Sequence, residues 1–132
     1  MRRSWGIVGV LALLFGLVGL AACGGGNGDG GGGGTTVTMG VASFSAGTNI
    51  TIAAGQSVVF DDPSDGGGTH NLVTGTNGTF TAEAGAPTDF SSSSGVNFSP
   101  GDSRTITFPT AGTYHITCTI HPNMQATITV TS

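Results

Sequence analysis

The segment YHITCTIHPNM, residues 114–124, carries the strongest chemical signal in this chain. It contains one of the two cysteines, two of the three histidines and one of the three methionines among 132 residues. Because these residue types are rare elsewhere in the sequence, their concentration here indicates that they act together.

The first half of the segment alternates in the manner of a β-strand. Successive side chains of a strand point to opposite faces, so Tyr114, Ile116 and Cys118 share one face. We expect that face to be buried, with His115 and Thr117 pointing outward. His115 is therefore expected to be a surface histidine that takes no part in a site.

The second half is predicted to be a loop that aims three donor groups at one point. Cys118, His121 and Met124 follow one another at spacings of three and three, and Pro122 marks a turn before the next strand, residues 126–130. Thiolate, imidazole and thioether are the soft and borderline ligands that suit copper. A structural cysteine with no metal is the alternative, but it leaves the regular spacing unexplained.

His70 is the candidate for a second nitrogen ligand. It follows a glycine-rich turn and opens a predicted strand, residues 70–73, from which it is expected to reach the site from the neighbouring sheet. Two imidazoles and a thiolate, with a distant methionine, describe a blue-copper electron-transfer centre. Zinc is the competing metal, and Met124 argues against it because structural zinc sites use thiolates and imidazoles.

The remainder of the chain is predicted to form short strands. Period-two apolar runs are separated by turns rich in Gly, Pro, Asn and Asp, which favours half-buried strands. The runs are Val37-Met39-Val41, Ile50-Ile52, Val58-Phe60, Ile106-Phe108 and Ile128-Val130, with Met39 assigned to the core. Residues 82–95 are predicted to be a loop. The fold class is therefore an all-β, antiparallel Greek-key sandwich or barrel of seven or eight strands.

The N-terminus has the features of an export signal. Two arginines and an apolar run occupy residues 2–20, and the sequence LAACG at residues 20–24 resembles the bacterial lipobox. We therefore predict a lipoprotein signal peptide over residues 1–22 and a lipid on Cys23. A plain signal peptide with an incidental cysteine, or an uncleaved anchor helix, is the alternative.

Residues 23–34 are predicted to be the lipidated cysteine followed by a glycine-rich flexible tether, which leaves residues 35–132 as one domain. If Cys23 carries a lipid, Cys118 has no disulfide partner. A lone thiol in an oxidising compartment is at risk of oxidation unless it is buried or bound to a metal, so this arrangement also favours a ligand role.

The charge balance excludes some functions. Without residues 1–22, Arg104 is the single basic residue against seven acidic ones, a net charge of −6. Nucleic-acid binding needs clustered Lys and Arg, so no nucleic-acid partner is expected. Catalysis by a lysine is excluded as well.

The sequence resembles the cupredoxins, in particular plastocyanin-like and amicyanin-like proteins, over about Val37 to Val130. The motifs that carry the resemblance are GQSVVF at 55–60, THNLV at 69–73, FSPGDS at 98–103, AGTY at 111–114 and the C-x-x-H-x-x-M loop. The short loop spacing is similar to that of amicyanin. A proline often precedes the second histidine in the family, and Ile120 stands there instead.

The resemblance implies one copper ion per domain, cycling between Cu(I) and Cu(II). It implies His70, Cys118 and His121 as strong ligands and Met124 as a weak axial ligand. It also implies that Asn71 ties the two ligand loops together.

In such proteins electrons pass through the second histidine within an apolar surface patch. That implies exchange at His121, with Ile120 and Pro122 lining the patch.

The function expected from these observations is one-electron transfer by a blue copper protein that is not an enzyme. The protein is expected to be monomeric and lipid-anchored on the extracytoplasmic face of a membrane. Its partners would be redox proteins, such as cytochromes or a membrane electron-transfer complex. A copper-binding or delivery protein of the cell envelope is the alternative, and a metal-free structural or adhesion domain is a third.

Overall fold

A computed structural model describes residues 35–132 as a sandwich of ten strands. The predicted signal peptide, residues 1–22, and the predicted tether, residues 23–34, lie outside the described residues. Within residues 35–132 there is no helix with the length and apolar character needed to cross a membrane. The strands are β1 (Thr36–Met39), β2 (Phe44–Ala46), β3 (Asn49–Ala53), β4 (Ser57–Asp61), β5 (His70–Thr76), β6 (Thr79–Phe80), β7 (Val96–Phe98), β8 (Ser103–Thr107), β9 (Gly112–Cys118) and β10 (Gln125–Thr131).

Two sheets form the sandwich. One has the order β2-β1-β4-β8, and the other has the order β3-β10-β9-β5-β6 with β7 also paired to β5. The all-β sandwich predicted from the sequence is confirmed. The expectation of seven or eight strands is too low, because β2, β6 and β7 have only two or three residues and cannot show an alternating pattern. The expectation of antiparallel pairing holds for most strands, but β1 pairs with β4, and β3 with β10, in parallel.

The inward faces of the two sheets meet in one core. Met39, Phe60, Ile116 and Ile128 are all buried there, as their positions in the alternating runs predict. Tyr114 is buried too, and its hydroxyl donates a hydrogen bond to the Thr110 carbonyl oxygen at 2.8 Å, which satisfies its polar end.

Two side chains differ in burial from what the alternation predicts. Val41 is 69% exposed because β1 ends at Met39, where its pairing register with β2 shifts. Thr117 is fully buried, because the turn between β5 and β6 covers it and the Gly78 amide donates to its hydroxyl at 2.9 Å.

The predicted loop at residues 82–95 contributes to the core. It contains a short 3-10 helix, Thr88–Phe90, and Phe90 is fully buried. The Phe90 ring meets the Phe60 ring edge-on, with 5.2 Å between centroids. The segment therefore fills space between the two sheets with the Phe90 side chain. Its polar sequence does not indicate this burial.

Candidate metal centre

Three side chains converge at one end of the sandwich. Cys118 is the last residue of β9, His121 lies in the loop that follows, and His70 is the first residue of β5. Their donor atoms all lie within 4.8 Å of one another. The Cys118 sulfur is 3.9 Å from His70 Nδ1 and 3.8 Å from His121 Nδ1, and the two Nδ1 atoms are 3.3 Å apart.

Pairing between β5 and β9 places His70 beside the cysteine. The two strands are antiparallel neighbours with Leu72 opposite Cys118, so His70 lies just beyond that pair. His70 therefore reaches the centre from the adjacent strand of the same sheet. The expectation that it comes from the neighbouring sheet is wrong, because sequence alternation does not reveal which strands pair.

The loop from Cys118 to Met124 is closed by its own backbone. The Cys118 amide donates to the Met124 carbonyl oxygen at 3.1 Å, and the Met124 amide donates to the His121 carbonyl oxygen at 2.9 Å. Met124 is fully buried and belongs to the same core cluster as Cys118. Its role as a weak axial ligand stays a prediction.

The centre is buried on one side and reaches the surface on the other. His70 and Cys118 are fully buried, whereas His121 is half-buried. His121 also lines a shallow surface depression with Ala42, Ile120, Pro122 and Asn123. Ile120 is 50% exposed, which is unusual for a large apolar side chain in this domain. The surface next to His121 is therefore apolar.

Asn71 connects the segment that carries His70 to the segment that carries Cys118. Its side-chain oxygen accepts a hydrogen bond from the Thr119 hydroxyl at 2.9 Å, and its backbone oxygen accepts one from the Thr119 amide at 2.9 Å. Its side-chain amide donates to the Ser94 carbonyl oxygen at 2.8 Å and to Asn97 Oδ1 at 3.0 Å. These contacts support the bridging role that the resemblance implies for Asn71.

Asp62, which the sequence did not single out, lies on the far side of His70. Its carboxylate is fully buried, and its Oδ1 is 4.0 Å from His70 Nε2. Burial raises the pKa of Asp62, although the nearby imidazole opposes the shift. Burial likewise lowers the pKa of His70. The alternation of Val58 and Phe60 extends to Asp62 and is the sequence signal for its burial, whereas Asp61 and Asp65 are out of that phase.

His115, the third histidine, lies away from the three converging side chains. His115 lies on the outer face of β9, where its Nδ1 is 2.9 Å from Glu83 Oε1. Its backbone amide also donates to Glu83 Oε2 at 2.9 Å. The prediction that His115 points outward agrees with its exposed side chain.

The donor set fits copper. A sulfur and two ring nitrogens face one another at distances of 3.3–3.9 Å, an arrangement that a metal ion would bridge. One thiolate and two imidazoles are the donors of trigonal blue-copper sites, whereas structural zinc sites have four such ligands. Copper is therefore the metal that these residues suit.

Comparisons with known proteins agree with this geometry. The family model for copper-binding proteins of the plastocyanin/azurin family matches residues 34–131. No curated protein matches the sequence.

Solved structures of amicyanin have the same fold. Amicyanin from Paracoccus versutus is 23% identical with a TM-score of 0.50, and 72% of this chain aligns with 78% of that one. The reduced Cu(I) form of an amicyanin variant is 19% identical with a TM-score of 0.54, covering 75% of this chain and 83% of that one. A copper-containing nitrite reductase from Thermus scotoductus is 26% identical with a TM-score of 0.54, but the match covers 74% of this chain and only 22% of the reductase.

Proposed function

The chain belongs to the plastocyanin/azurin family of copper-binding proteins, and from that membership we propose that it is a type 1 blue copper protein that carries one electron at a time between redox partners outside the cytoplasm. The proposed strong ligands are His70, Cys118 and His121, and Met124 is the proposed weak axial ligand. Bound there, copper supplies a one-electron couple between Cu(I) and Cu(II).

The convergence of a buried thiol with two imidazoles carries this proposal. The three donors come from two paired strands and a closed loop, and all lie within 4.8 Å of one another. Elements held by strand pairing keep such donors in place when the charge at the centre changes. A rigid site rearranges little on reduction, which is what rapid electron exchange needs.

The surroundings of the donors fit electron transfer better than catalysis. His70 and Cys118 are sealed from water, so no open position for a substrate is visible on their side. Only His121 approaches the surface, beside the exposed Ile120. We propose this apolar surface as the place where a redox partner docks. The similarity to a nitrite reductase concerns under a quarter of that enzyme and supports a shared domain fold.

The proposed location rests on the N-terminal sequence. Removal of residues 1–22 and lipid attachment at Cys23 would leave residues 24–34 as a tether to the extracytoplasmic face of a membrane. The domain, residues 35–132, would then act as a monomer near membrane-bound partners such as a cytochrome. Its acidic charge would speed encounters with a basic partner.

Copper loading tests the electron-carrier function. We expect the full-length protein, purified in detergent and supplied with Cu(II), to develop an intense blue colour that ascorbate bleaches and oxidation restores. His70→Ala should lose the colour, whereas His115→Ala, which changes a histidine outside the centre, should keep it. A colour that disappears because a mild chelator removes the metal would favour the copper-delivery alternative. A wild-type protein that never turns blue would contradict the proposal.

A further inference from the structure

Asp62 and His70 form a buried pair that the proposed ligand set leaves unexplained. Both side chains are fully buried, and neither carboxylate oxygen of Asp62 nor Nε2 of His70 has a hydrogen-bond partner. Leaving a buried polar group without a partner costs about 1–3 kcal/mol, and more for a charged group. A hydrogen bond from Nε2 of His70 to the Asp62 carboxylate would give these atoms a partner, and Oδ1 and Nε2 are 4.0 Å apart.

No lysine or arginine in the described domain forms an ion pair with Asp62. Arg104 is the single Lys or Arg among residues 35–132. Its guanidinium lies over the Phe98 ring, 5.5 Å from the centroid. The acids nearest to Asp62, namely Asp61 and Asp102, would only add negative charge. His70 Nε2, 4.0 Å from Oδ1, is thus the candidate hydrogen-bond donor to this carboxylate.

The backbone holds Asp62 in place. Its amide donates to the Asp102 carbonyl oxygen at 2.8 Å, and its own carbonyl oxygen accepts from the Gly101 amide at 2.7 Å. Asp62 follows directly after β4, in the opposite sheet from His70. The carboxylate is therefore presented by a fixed segment, and the 4.0 Å between Oδ1 and Nε2 would have to shorten by roughly 1 Å to form a hydrogen bond.

We propose that Asp62 is a positioning residue for His70: its carboxylate accepts a hydrogen bond from Nε2–H and so keeps the Nδ1 lone pair directed at the metal centre. The inference rests on the proposed copper site. A histidine ligand needs one ring nitrogen unprotonated, and a partner on the other nitrogen selects that tautomer. Asp62 would link the β4 sheet to a ligand carried by the other sheet.

The same contact would also change the reduction potential of the copper centre. A carboxylate behind a ligand raises the basicity of the imidazole and adds negative charge beside the metal. Both effects stabilise the more positively charged oxidised state, so Asp62 lowers the reduction potential. Removing its charge should therefore make the site easier to reduce.

Two variants separate the hydrogen bond from the charge. Asp62→Asn keeps a side-chain oxygen that accepts a hydrogen bond but removes the charge, whereas Asp62→Leu removes both and keeps the number and branching of the side-chain heavy atoms. Asp61→Asn is the matched control, because it removes a charge one residue away from a side chain that is only half-buried.

The first measurement needs no copper. We expect ¹⁵N-histidine NMR of the full-length, metal-free protein in detergent, at mildly alkaline pH, to show His70 protonated at Nε2. In Asp62→Leu the Nε2 proton should exchange with solvent at least about tenfold faster, or the tautomer should change. Asp62→Asn and Asp61→Asn should retain the wild-type tautomer. A wild-type His70 protonated at Nδ1, or an Asp62→Leu protein with unchanged exchange and tautomer, would overturn the proposal.

The second measurement is the reduction potential of the copper-loaded protein. Asp62→Asn should raise the equilibrium constant for reduction about tenfold, which is about 59 mV for one electron. Asp61→Asn should change it less than about threefold. Equal shifts in the two variants would overturn the tuning role. A wild-type protein that binds no copper would defeat the proposed function instead, and the NMR result would still decide whether Asp62 holds His70.

Discussion

Among single residues, Asn71 makes the largest number of described hydrogen bonds around the metal centre. It joins β5 to the start of the ligand loop through Thr119 and to the segment before β7 through Ser94. An interaction that fixes two ligand-bearing segments contributes to metal affinity without touching the metal. Asn71 therefore helps to hold the segments that carry His70 and Cys118 in place before a metal binds.

We expect Asn71→Ala to weaken copper binding about 10- to 100-fold, the usual effect of losing an outer support of a ligand. Competition against a chelator of known affinity measures this. Asn97→Ala is the control, because it removes only the contact at Asn97 Oδ1 and leaves the bridge to Thr119 intact. An Asn71→Ala protein with wild-type affinity would show that strand pairing alone holds the donors.

The sequence predicted the donor residues better than their surroundings. Cys118, His121 and Met124 are close in sequence, so their spacing alone indicates a shared site. His70 is remote in sequence and is inferred from its place at the start of a predicted strand, because its distance from Cys118 depends on the pairing of β5 with β9. Asp62 continues the buried phase of Val58 and Phe60, but its closeness to His70 depends on how the two sheets pack, which the sequence does not reveal.

Among the elements, the turn between β5 and β6 packs against the loop from Cys118 to Met124. Gly78 in this turn has a φ of +73°, and a Cβ added there would lie 3.0 Å from Cγ of Pro122. The Asn77 side chain also accepts a hydrogen bond from Gln125 Nε2 at 3.2 Å, at the start of β10. The turn thus contacts the loop that carries His121 from outside.

Gly78→Ala should disturb the copper centre through this contact. A left-handed backbone costs about 1–2 kcal/mol for a residue with a Cβ, and the added methyl also presses on Pro122. Gly55→Ala is the matched control, because Gly55 has a φ of +85° but nothing within 4 Å of an added Cβ. Urea unfolding should show a loss in both variants, whereas only Gly78→Ala should change the visible spectrum of the copper-loaded protein. Identical spectra would mean that the loop does not depend on the turn.

The 3-10 helix should be essential for stability in spite of its three residues. Phe90→Ala removes a fully buried ring packed on Phe60 and is expected to lower the free energy of unfolding by about 3–5 kcal/mol. Val41→Ala, at an exposed position, should stay within about 0.5 kcal/mol of wild type. Urea denaturation measures both. A small change in the free energy of unfolding of Phe90→Ala would mean that packing of this helix between the sheets contributes little to stability.

The long alternating strands were predictable, and the short elements were not. β3, β4 and β10 each display period-two burial over five or seven residues, which a sequence reveals directly. β2, β6 and β7 are too short for any period, and they exist because neighbouring strands offer free edges. Phe90 sits in a polar segment, so its burial depends on the gap that the two sheets leave between them.

For the whole molecule, the predicted lipid anchor would decide where the domain acts. We expect wild-type protein to fractionate with membranes and to carry acyl mass on Cys23 as its first residue. Cys23→Ser should lose that mass, as intact-protein mass spectrometry would show. Cys118→Ser is the control, because it should keep the lipid and lose the blue colour. A Cys23→Ser mass that differs from wild type only by the exchange of sulfur for oxygen would indicate a plain signal peptide or an anchor helix.

The pairing of distant segments has a consequence for how the protein matures. β3 and β10 lie side by side although the Thr131 hydroxyl and the Ile52 carbonyl oxygen that meet there are 79 residues apart, and the His70–Cys118 pair is separated by 48 residues. Chains dominated by such long-range contacts fold slowly, in milliseconds to seconds. The donors meet only after β5 has paired with β9, so we expect the newly made chain to pass through an interval in which the thiol of Cys118 is unprotected and copper has no complete site to enter.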